Sequence, residues 1–171
     1  MQDVEILKAD LDLPSHQAAV LKMMDEYSRD PMGDGQPLSS YAIAHLIEEL
    51  RKLPTSLIFL AMLDNRPVGI ATCFVGLSTF AARRLINISD YFLVPELRGQ
   101  GIGRRLLERV EKEARLLECC KLTLEVQENN HNAQRVYRAF GFSQSVHVAA
   151  AGAALFLTKS LDGAGSSADL R

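Results

Sequence analysis

The sequence predicts a single domain of the α/β class. Strand-like runs of alternating apolar residues and helix-like runs with apolar residues three or four apart follow one another along the chain. The length of 171 residues suits one domain with one hydrophobic core, and no repeat or linker interrupts it. We therefore assign residues 1–160 to one domain and expect residues 161–171, rich in Gly, Ser and Ala, to form a mobile tail.

The N-terminal half begins with a strand and ends with a hairpin. Alternation predicts strands over residues 4–9, 56–63 and 68–75, the last two joined by a turn. Helical periodicity predicts a helix over residues 15–29 and a second that begins at Ser39 or Ser40 and ends before Pro54. Residues 30–37 are dense in Pro, Gly and Asp, so we expect a loop there.

The C-terminal half contains longer elements and a final hairpin. We expect a loop over residues 76–84, an apolar strand over 85–94, an amphipathic helix over 101–117, a strand over 122–126 and a short helix over 132–140. Residues 146–148 and 155–159 are expected to pair as the last two strands.

The composition excludes several classes of partner. The formal net charge is −2 at pH 7, with 47% hydrophobic and 23% charged residues, so there is no general electrostatic attraction to nucleic acid or to an anionic membrane. No run approaches the roughly 18 apolar residues of a membrane span, and the N-terminal residues do not resemble a secretory signal. The three cysteines form neither a disulfide framework nor a CxxC metal pair. We expect a soluble cytoplasmic protein without a metal.

The most informative segment runs from Val94 to Arg105, where a strand ends, three alternating glycines follow and a helix begins. Glycines permit unusual backbone torsions and close approach of a ligand, and the free N–H groups of a helix start bind anions such as a pyrophosphate. The segment lacks the GxxxxGK[ST] of a P-loop and the last glycine of a GxGxxG motif. It does contain R-x-x-G-x-G from Arg98 to Gly103. This segment alone leaves a plain turn open as the alternative.

A second motif lies further along the chain. From Asn130 to Phe142 the sequence reads N-x-x-A-x-x-x-Y-x-x-x-G-F. Both motifs, in this order and spacing, and the order of the elements resemble the GCN5-related N-acetyltransferase (GNAT) superfamily over nearly the whole chain.

The resemblance implies a mixed, twisted sheet of about seven strands, splayed between the fourth and fifth, with about four helices. It also implies that acetyl-CoA binds in the resulting cleft as a cosubstrate. The cofactor-binding residues that it implies are Phe92, Leu93 and Val94 along the pantetheine, Arg98, Gly99, Gln100, Gly101, Ile102, Gly103 and Arg104 around the pyrophosphate, and Asn130 and Tyr137.

Acetyl transfer to an amine requires a base and benefits from an acid. A lysine-like amine has a pKa of about 10.4 and must lose a proton before or during attack, while the departing thiolate gains from a proton donor. The resemblance makes Tyr137 the acid; from periodicity alone it is an aromatic core residue. For the base we prefer Glu125, which is in a predicted central strand where an unpaired charge is costly. Asp90, at the start of the splayed strand, is the second candidate.

The function implied is an acetyl-CoA-dependent N-acetyltransferase that acts by direct transfer to a primary amine of a small molecule or peptide. The alternative is a catalytically inactive CoA-binding regulatory module with the same fold. The acceptor cannot be read from the fold. A homodimer is possible through the apolar residues 146–154.

Overall fold

The structure, a computed structural model, describes residues 4–144, 157–159 and 161. The strands in this part of the chain are β1 (Val4–Lys8), β2 (Ser56–Leu63), β3 (Arg66–Ser78), β4 (Arg83–Leu93) and β5 (Leu122–Leu124). The helices are α1 (Pro14–Arg29), α2 (Ser40–Lys52), α3 (Ile102–Leu116) and α4 (His131–Phe140), with a 3-10 turn at Pro95–Leu97. Each of the four predicted helices is present within two residues of its expected bounds.

The five strands form one mixed sheet in chain order. Strands β1 to β4 are antiparallel neighbours, whereas β5 runs parallel to β4. A parallel neighbour requires a crossover connection, and α3 is that connection. The mixed α/β fold predicted from the sequence is confirmed.

Helices cover both faces of the sheet. The apolar stripe of α3 buries Leu106, Leu107 and Val110 against one face. On the opposite face, α1 buries Val20 and Met23 against the sheet. The two faces therefore have separate cores, and side chains that alternate along β4 point into one or the other.

The sheet opens between β4 and β5. Only residues 86–88 of β4 pair with β5, through residues 122–124, so residues 89–93 have no partner on that side within the described part of the chain. We call the gap between the two strands beyond Ile88 and Leu124 the split. Its position agrees with the splay predicted between the fourth and fifth strands.

A β-bulge marks the point where the strands separate. Across β3 and β4, Cys73 pairs with Ile88 and Thr72 pairs with Asp90, so Ser89 is the extra residue. A bulge bends its strand and increases the local twist, which carries the second half of β4 away from β5.

Three predicted boundaries were wrong: both ends of the loop expected over residues 76–84, and the end of the strand expected over residues 122–126. The expected loop over residues 76–84 is only the turn at 79–82, because β3 and β4 pair out to Ser78 and Arg83. The arginines at the start of β4 are both exposed, so this part of the strand lacks the alternation of apolar and polar residues that would predict a strand. Strand β5 ends at Leu124, not at residue 126.

The predicted last hairpin lies mostly outside the described residues, as does the tail beyond residue 161. Residues 146–148 and 155–156 of the hairpin are not described, and residues 157–159 are not in a strand.

In the part of the chain that the structure covers, no helix combines the length and the apolarity needed to cross a membrane.

Candidate active site

The glycine loop, residues 98–104, joins the end of β4 to the start of α3. Gly99 and Gly101 have φ values of 78° and 80°, a left-handed conformation that side chains resist, and Gly101 is the N-cap of α3. Left-handed residues occur in the concave arrangements of successive N–H groups that bind anions. Glycine is therefore needed at both positions for the backbone conformation, and the anion-binding role of the loop stays a prediction.

The main-chain donors of this loop are unpaired. None of the six N–H groups from Gly99 to Arg104 donates a hydrogen bond to another described residue, whereas the flanking amides of Arg98 and Arg105 donate to Pro95 and Gly101. The first N–H groups of a helix have no partner within the helix, and they carry the positive end of its dipole. This run of donors is suited to an anion with several oxygen atoms.

The third glycine of the loop is needed for a different reason. Gly103 does not have a positive φ; instead, a Cβ atom there would lie 2.5 Å from the hydroxyl oxygen of Tyr91. That hydroxyl is buried and has no hydrogen-bond partner among the described residues. Burial raises the pKa of Tyr91, with a further contribution from Tyr137. Close packing of β4 on the start of α3 thus accounts for this glycine.

The second half of β4 presents main-chain groups to the split. The Val94 amide donates to Val68 on β3, and main-chain groups alternate in direction along a strand, so those of Tyr91 and Leu93 point away from β3. The Leu93 carbonyl accepts from Nε of Arg98 at 2.9 Å, which confirms this direction. The predicted cofactor residues Phe92 and Leu93 are buried, and Val94 is partly buried.

Asp90 is a partly buried carboxylate beside the bulge. Burial raises its pKa, and a hydrogen bond with the Thr72 hydroxyl only partly offsets this. That hydroxyl also lies 3.6 Å from Sδ of Met24 on α1, but the carboxylate is the stronger acceptor. No arginine or lysine in residues 4–144 forms an ion pair with Asp90. A carboxylate that is partly desolvated and lacks a cationic partner is suited to bind a cation or to accept a proton.

Tyr27, in the last turn of α1, faces the same region. Burial raises its pKa, and the carboxylates of Asp90, Asp30 and Asp34 raise it further. Its ring lies 5.7 Å from that of Phe92. Tyr27 therefore lies near an aromatic ring of β4 and close to three carboxylates, of which Asp30 is paired with Arg98.

Tyr137 lies on α4 with 7% of its surface exposed. Its ring meets those of Tyr91 and Phe142 edge-on at 5.6 and 5.9 Å. Burial raises its pKa, and Tyr27 raises it further, so the phenol is neutral at physiological pH. Both sequence interpretations are therefore compatible with its place: it packs in the core, and it lies close to the residues that line the split.

The remaining predicted catalytic residue, Glu125, is not where the sequence prediction assumed. It follows the last residue of β5 and is exposed, so the expectation of a charge inside a central strand was wrong. Two residues before it, Thr123 donates to Asn87 at 2.9 Å across the middle one of the three residue pairs that join β4 and β5, and Asn87 donates to Ser89 at 3.1 Å. These polar contacts fix the point where the split begins.

The other predicted cofactor residues have partners of their own. Oδ1 of Asn130 caps α4 by accepting from Ala133 at 3.1 Å, which leaves its side-chain amide N–H groups for a ligand. Arg104 is exposed and pairs with Glu108 on the next turn of α3. Gln100 is exposed, and Ile102 is buried.

Sequence reasoning missed Tyr27 and Tyr91 as parts of the site. It placed Asp30 in the loop over residues 30–37 but did not predict that Asp30 forms an ion pair with Arg98, at 2.8 Å. The sequence carried no signal for this pair, because the two residues are 68 positions apart. Together, the start of α3 and the open edge of β4 place main-chain groups without partners among the described residues side by side in this α/β fold.

Comparison with known sequences identifies the family. The sequence profile of the acetyltransferase (GNAT) family matches residues 20–142. A thialysine N-epsilon-acetyltransferase of Bos taurus is 35% identical over 74 residues, a stretch that covers 43% of this chain and 43% of that protein. The match thus spans less than half of that relative.

Solved structures show the same fold. A crystal structure of a probable acetyltransferase superposes with a TM-score of 0.76 at 20% identity, covering 91% of this chain and 99% of the other. The structure of AAC(6')-Iy in complex with the bisubstrate analogue CoA-S-monomethyl-acetylneamine superposes with a TM-score of 0.71 at 17% identity, covering 92% and 99%. The chain belongs to the acetyltransferase (GNAT) family, a family of acyltransferases.

Proposed function

We propose that this protein is an acetyl-CoA-dependent N-acetyltransferase that transfers the acetyl group directly to a primary amine of a small molecule or peptide. The observation that supports this most is the run of six N–H groups at the start of α3 that have no partner among the described residues, beside the open edge of β4. Coenzyme A carries matching groups: a pyrophosphate for a helix start, and pantetheine amides for a strand edge.

The cofactor contacts follow from this match. The pyrophosphate accepts from the amides of residues 99–104, and the pantetheine pairs with the outward main-chain groups of Tyr91 and the outward N–H of Leu93, whose carbonyl is bonded to Arg98. The thioester then lies near the bulge, between Asp90 and Tyr137. An outward N–H of β4 stabilises the oxyanion that forms when the amine attacks.

We propose Asp90 as the group that holds the acceptor ammonium and takes its proton. Its partial burial and the lack of a cationic partner among residues 4–144 support this role over Glu125, which is exposed beyond the end of β5. The bound ammonium first loses one proton through Asp90 to the solvent, which leaves a neutral amine. Attack of this amine on the thioester carbon lowers the pKa of the nitrogen, so the Asp90 carboxylate then suffices as the base for the second proton. Tyr137 donates its proton to the sulfur as the C–S bond breaks and regains one from the solvent. The products are an amide, free coenzyme A and one proton.

We propose a cationic amine as the acceptor. Asp30 is paired with Arg98, so the carboxylates left to attract an ammonium group are Asp90 and Asp34. Both are close enough to Tyr27 to raise its pKa, and neither forms an ion pair with an arginine or lysine among the described residues. The ring of Tyr27 offers a face for a second cationic group. The names of the relatives, one for thialysine and one bound to an acetylneamine analogue, are compatible with this class.

The experiment is thiol release from acetyl-CoA across a panel of amines: thialysine, lysine, spermidine, neamine and a peptide with a free N-terminus. On the best substrate, Tyr137→Phe and Asp90→Asn are each expected to lower kcat by about 10²- to 10⁴-fold, as for loss of a general acid or base. Tyr41→Phe and Asp64→Asn are matched controls, since Tyr41 is exposed on α2 and stacks on His45, and Asp64 lies in the turn between β2 and β3. They are expected to keep wild-type rates.

Two results would overturn parts of this proposal. A larger loss in Glu125→Gln than in Asp90→Asn would assign the base to Glu125. Saturable binding of coenzyme A without turnover across the panel would favour a regulatory CoA-binding module instead.

A further inference from the structure

The segment after α1 crosses the split. We call residues 30–33 the strap. At one end, Oδ2 of Asp30 pairs with Nη2 of Arg98 at 2.8 Å, just beyond the end of β4. At the other end, the carbonyl of Met32 accepts from Nε2 of Gln127 at 3.3 Å, just beyond the end of β5. The strap therefore contacts the segment that follows β4 and the segment that follows β5, where the two strands have separated.

Asp30 is held firmly in this position. Its side chain is 10% exposed, and its second oxygen accepts from the Met32 amide at 2.9 Å. Its main-chain carbonyl accepts from Gly33, and its amide donates to Tyr27. Burial raises its pKa, but the bonds from Met32 and Arg98 outweigh this and lower it, so Asp30 is ionised at neutral pH. A buried, charged group with both oxygens bonded has a single favoured geometry.

The side chain of Arg98 is held in place at the same end of the strap. Its Nε donates to the Leu93 carbonyl at 2.9 Å, and its guanidinium carbon lies 5.7 Å from the centre of the Phe92 ring. Asp30 neutralises its charge. The plane of the guanidinium is therefore fixed by a main-chain acceptor on β4 and a carboxylate on the strap.

We infer that Asp30 and Arg98 fasten the strap across the split, and that Arg98 is a positioning residue for the strap and not the counter-ion of the cofactor's pyrophosphate. The second half of this inference rests on the proposed function. The strap begins at the turn that carries Tyr27, so its fastening holds the acceptor side of the cleft in place. In this view, the pyrophosphate is bound by the amides of the glycine loop.

Hydrogen exchange without cofactor tests the fastening by itself. Arg98→Met and Asp30→Asn are each expected to speed exchange of the Met32 and Gly33 amides about three- to tenfold, and the double variant to exchange no faster than Arg98→Met. Asp34→Asn makes the same charge change in the same loop, where Asp34 has no ion pair among the described residues, and is expected to leave these amides unchanged. Arg98→Lys, which retains the charge, is expected to recover part of the protection. Unchanged exchange in Arg98→Met, or an equal effect in Asp34→Asn, would refute the strap.

Calorimetry with coenzyme A tests the role of Arg98. If the amides bind the pyrophosphate, Arg98→Met is expected to change the Kd for coenzyme A less than about threefold, with the same dependence on salt concentration as in the wild type. A charge-assisted bond from Arg98 to a phosphate would instead make the loss about tenfold or more and weaken the salt dependence. That result would overturn the inference. No binding by wild-type protein would refute the proposed function, whereas the exchange experiment would still decide whether the strap is fastened.

Discussion

The contact between Tyr91 and Gly103 allows a sharp test of how β4 and α3 pack. A Cβ atom at position 103 would lie 2.5 Å from the Tyr91 hydroxyl oxygen but 3.6 Å from the ring carbon that carries it. The first distance is a clash, and the second is ordinary van der Waals contact. Gly103→Ala should therefore be harmful with tyrosine at position 91 and harmless in the Tyr91→Phe background.

The expected magnitude follows from two opposing effects. Overpacking of a rigid site costs about 1–3 kcal/mol, and the Tyr91 ring cannot move aside easily because it packs against Tyr137. Replacing a helical glycine by alanine gains at most about 1 kcal/mol. We expect Gly103→Ala to lower the free energy of unfolding by about 1–2 kcal/mol. In the Tyr91→Phe background it should be neutral or stabilising by up to about 1 kcal/mol.

Urea unfolding of the wild type, both single variants and the double variant forms a complete cycle. The coupling free energy is expected to be about 1–3 kcal/mol in favour of the double variant. Tyr91→Phe alone should not destabilise the protein, because it removes a buried hydroxyl that has no partner among the described residues. Equal destabilisation by Gly103→Ala in both backgrounds would show that the hydroxyl is not the obstacle. A loss above about 1 kcal/mol in Tyr91→Phe would show that the hydroxyl is hydrogen-bonded.

Three further predictions concern an ion pair, a helix cap and pH. Burial raises the pKa of Glu113, but bonds from Lys8 and Arg109 outweigh this and lower it. Its stabilising contribution is therefore present above the unfolded carboxyl pKa of about 4.3 and is lost as the pH falls through the lower folded value. Glu113→Gln should cost about 1–2 kcal/mol at pH 7 and progressively less below about pH 4, and a pH-independent difference in urea unfolding would contradict this. Asn130→Ala should cost about 1 kcal/mol through loss of the α4 cap, whereas Asn130→Asp, which keeps the acceptor, should cost little; equal losses would rule out the cap. The kcat/KM of the wild type should fall on acidification at a pH above the ordinary range of an aspartate, because the pKa of Asp90 is raised and its protonated form cannot accept a proton. Asp90→Asn should lack this acidic limb, and its persistence would assign the limb to another group.

Much of the fold could be predicted from the sequence because its signals are local. Helix α3 was expected over residues 101–117 and spans Ile102–Leu116, since a strong apolar stripe and the preceding glycines define both its face and its start. The cap at Asn130 was not predicted, although it is equally local, since the side chain bonds to an amide three residues away. Such features depend on torsions and contacts within a few residues, which the order of amino acids specifies directly.

The extent of the strands was less predictable. Glu125 was placed inside a strand because apolar alternation continues to Val126, yet β5 ends at Leu124 where β4 bends away. The bend itself comes from the bulge at Ser89, which nothing in the local sequence distinguishes from its neighbours. A strand ends where its partner leaves, so its length is a property of the pair.

The features of the candidate site also fall into two groups, those set by the local sequence and those set by the tertiary structure. By itself, the sequence determined the glycine loop, the helix start that follows it and the tyrosine of α4, because each belongs to one continuous motif. Only the tertiary structure decided that Asp90 lies partly buried without a cationic partner in the described residues, and that Asp30 reaches Arg98 across 68 positions. Desolvation and long-range ion pairs arise only when distant segments are brought together, and this depends on strand register and loop closure, not on any short stretch of sequence.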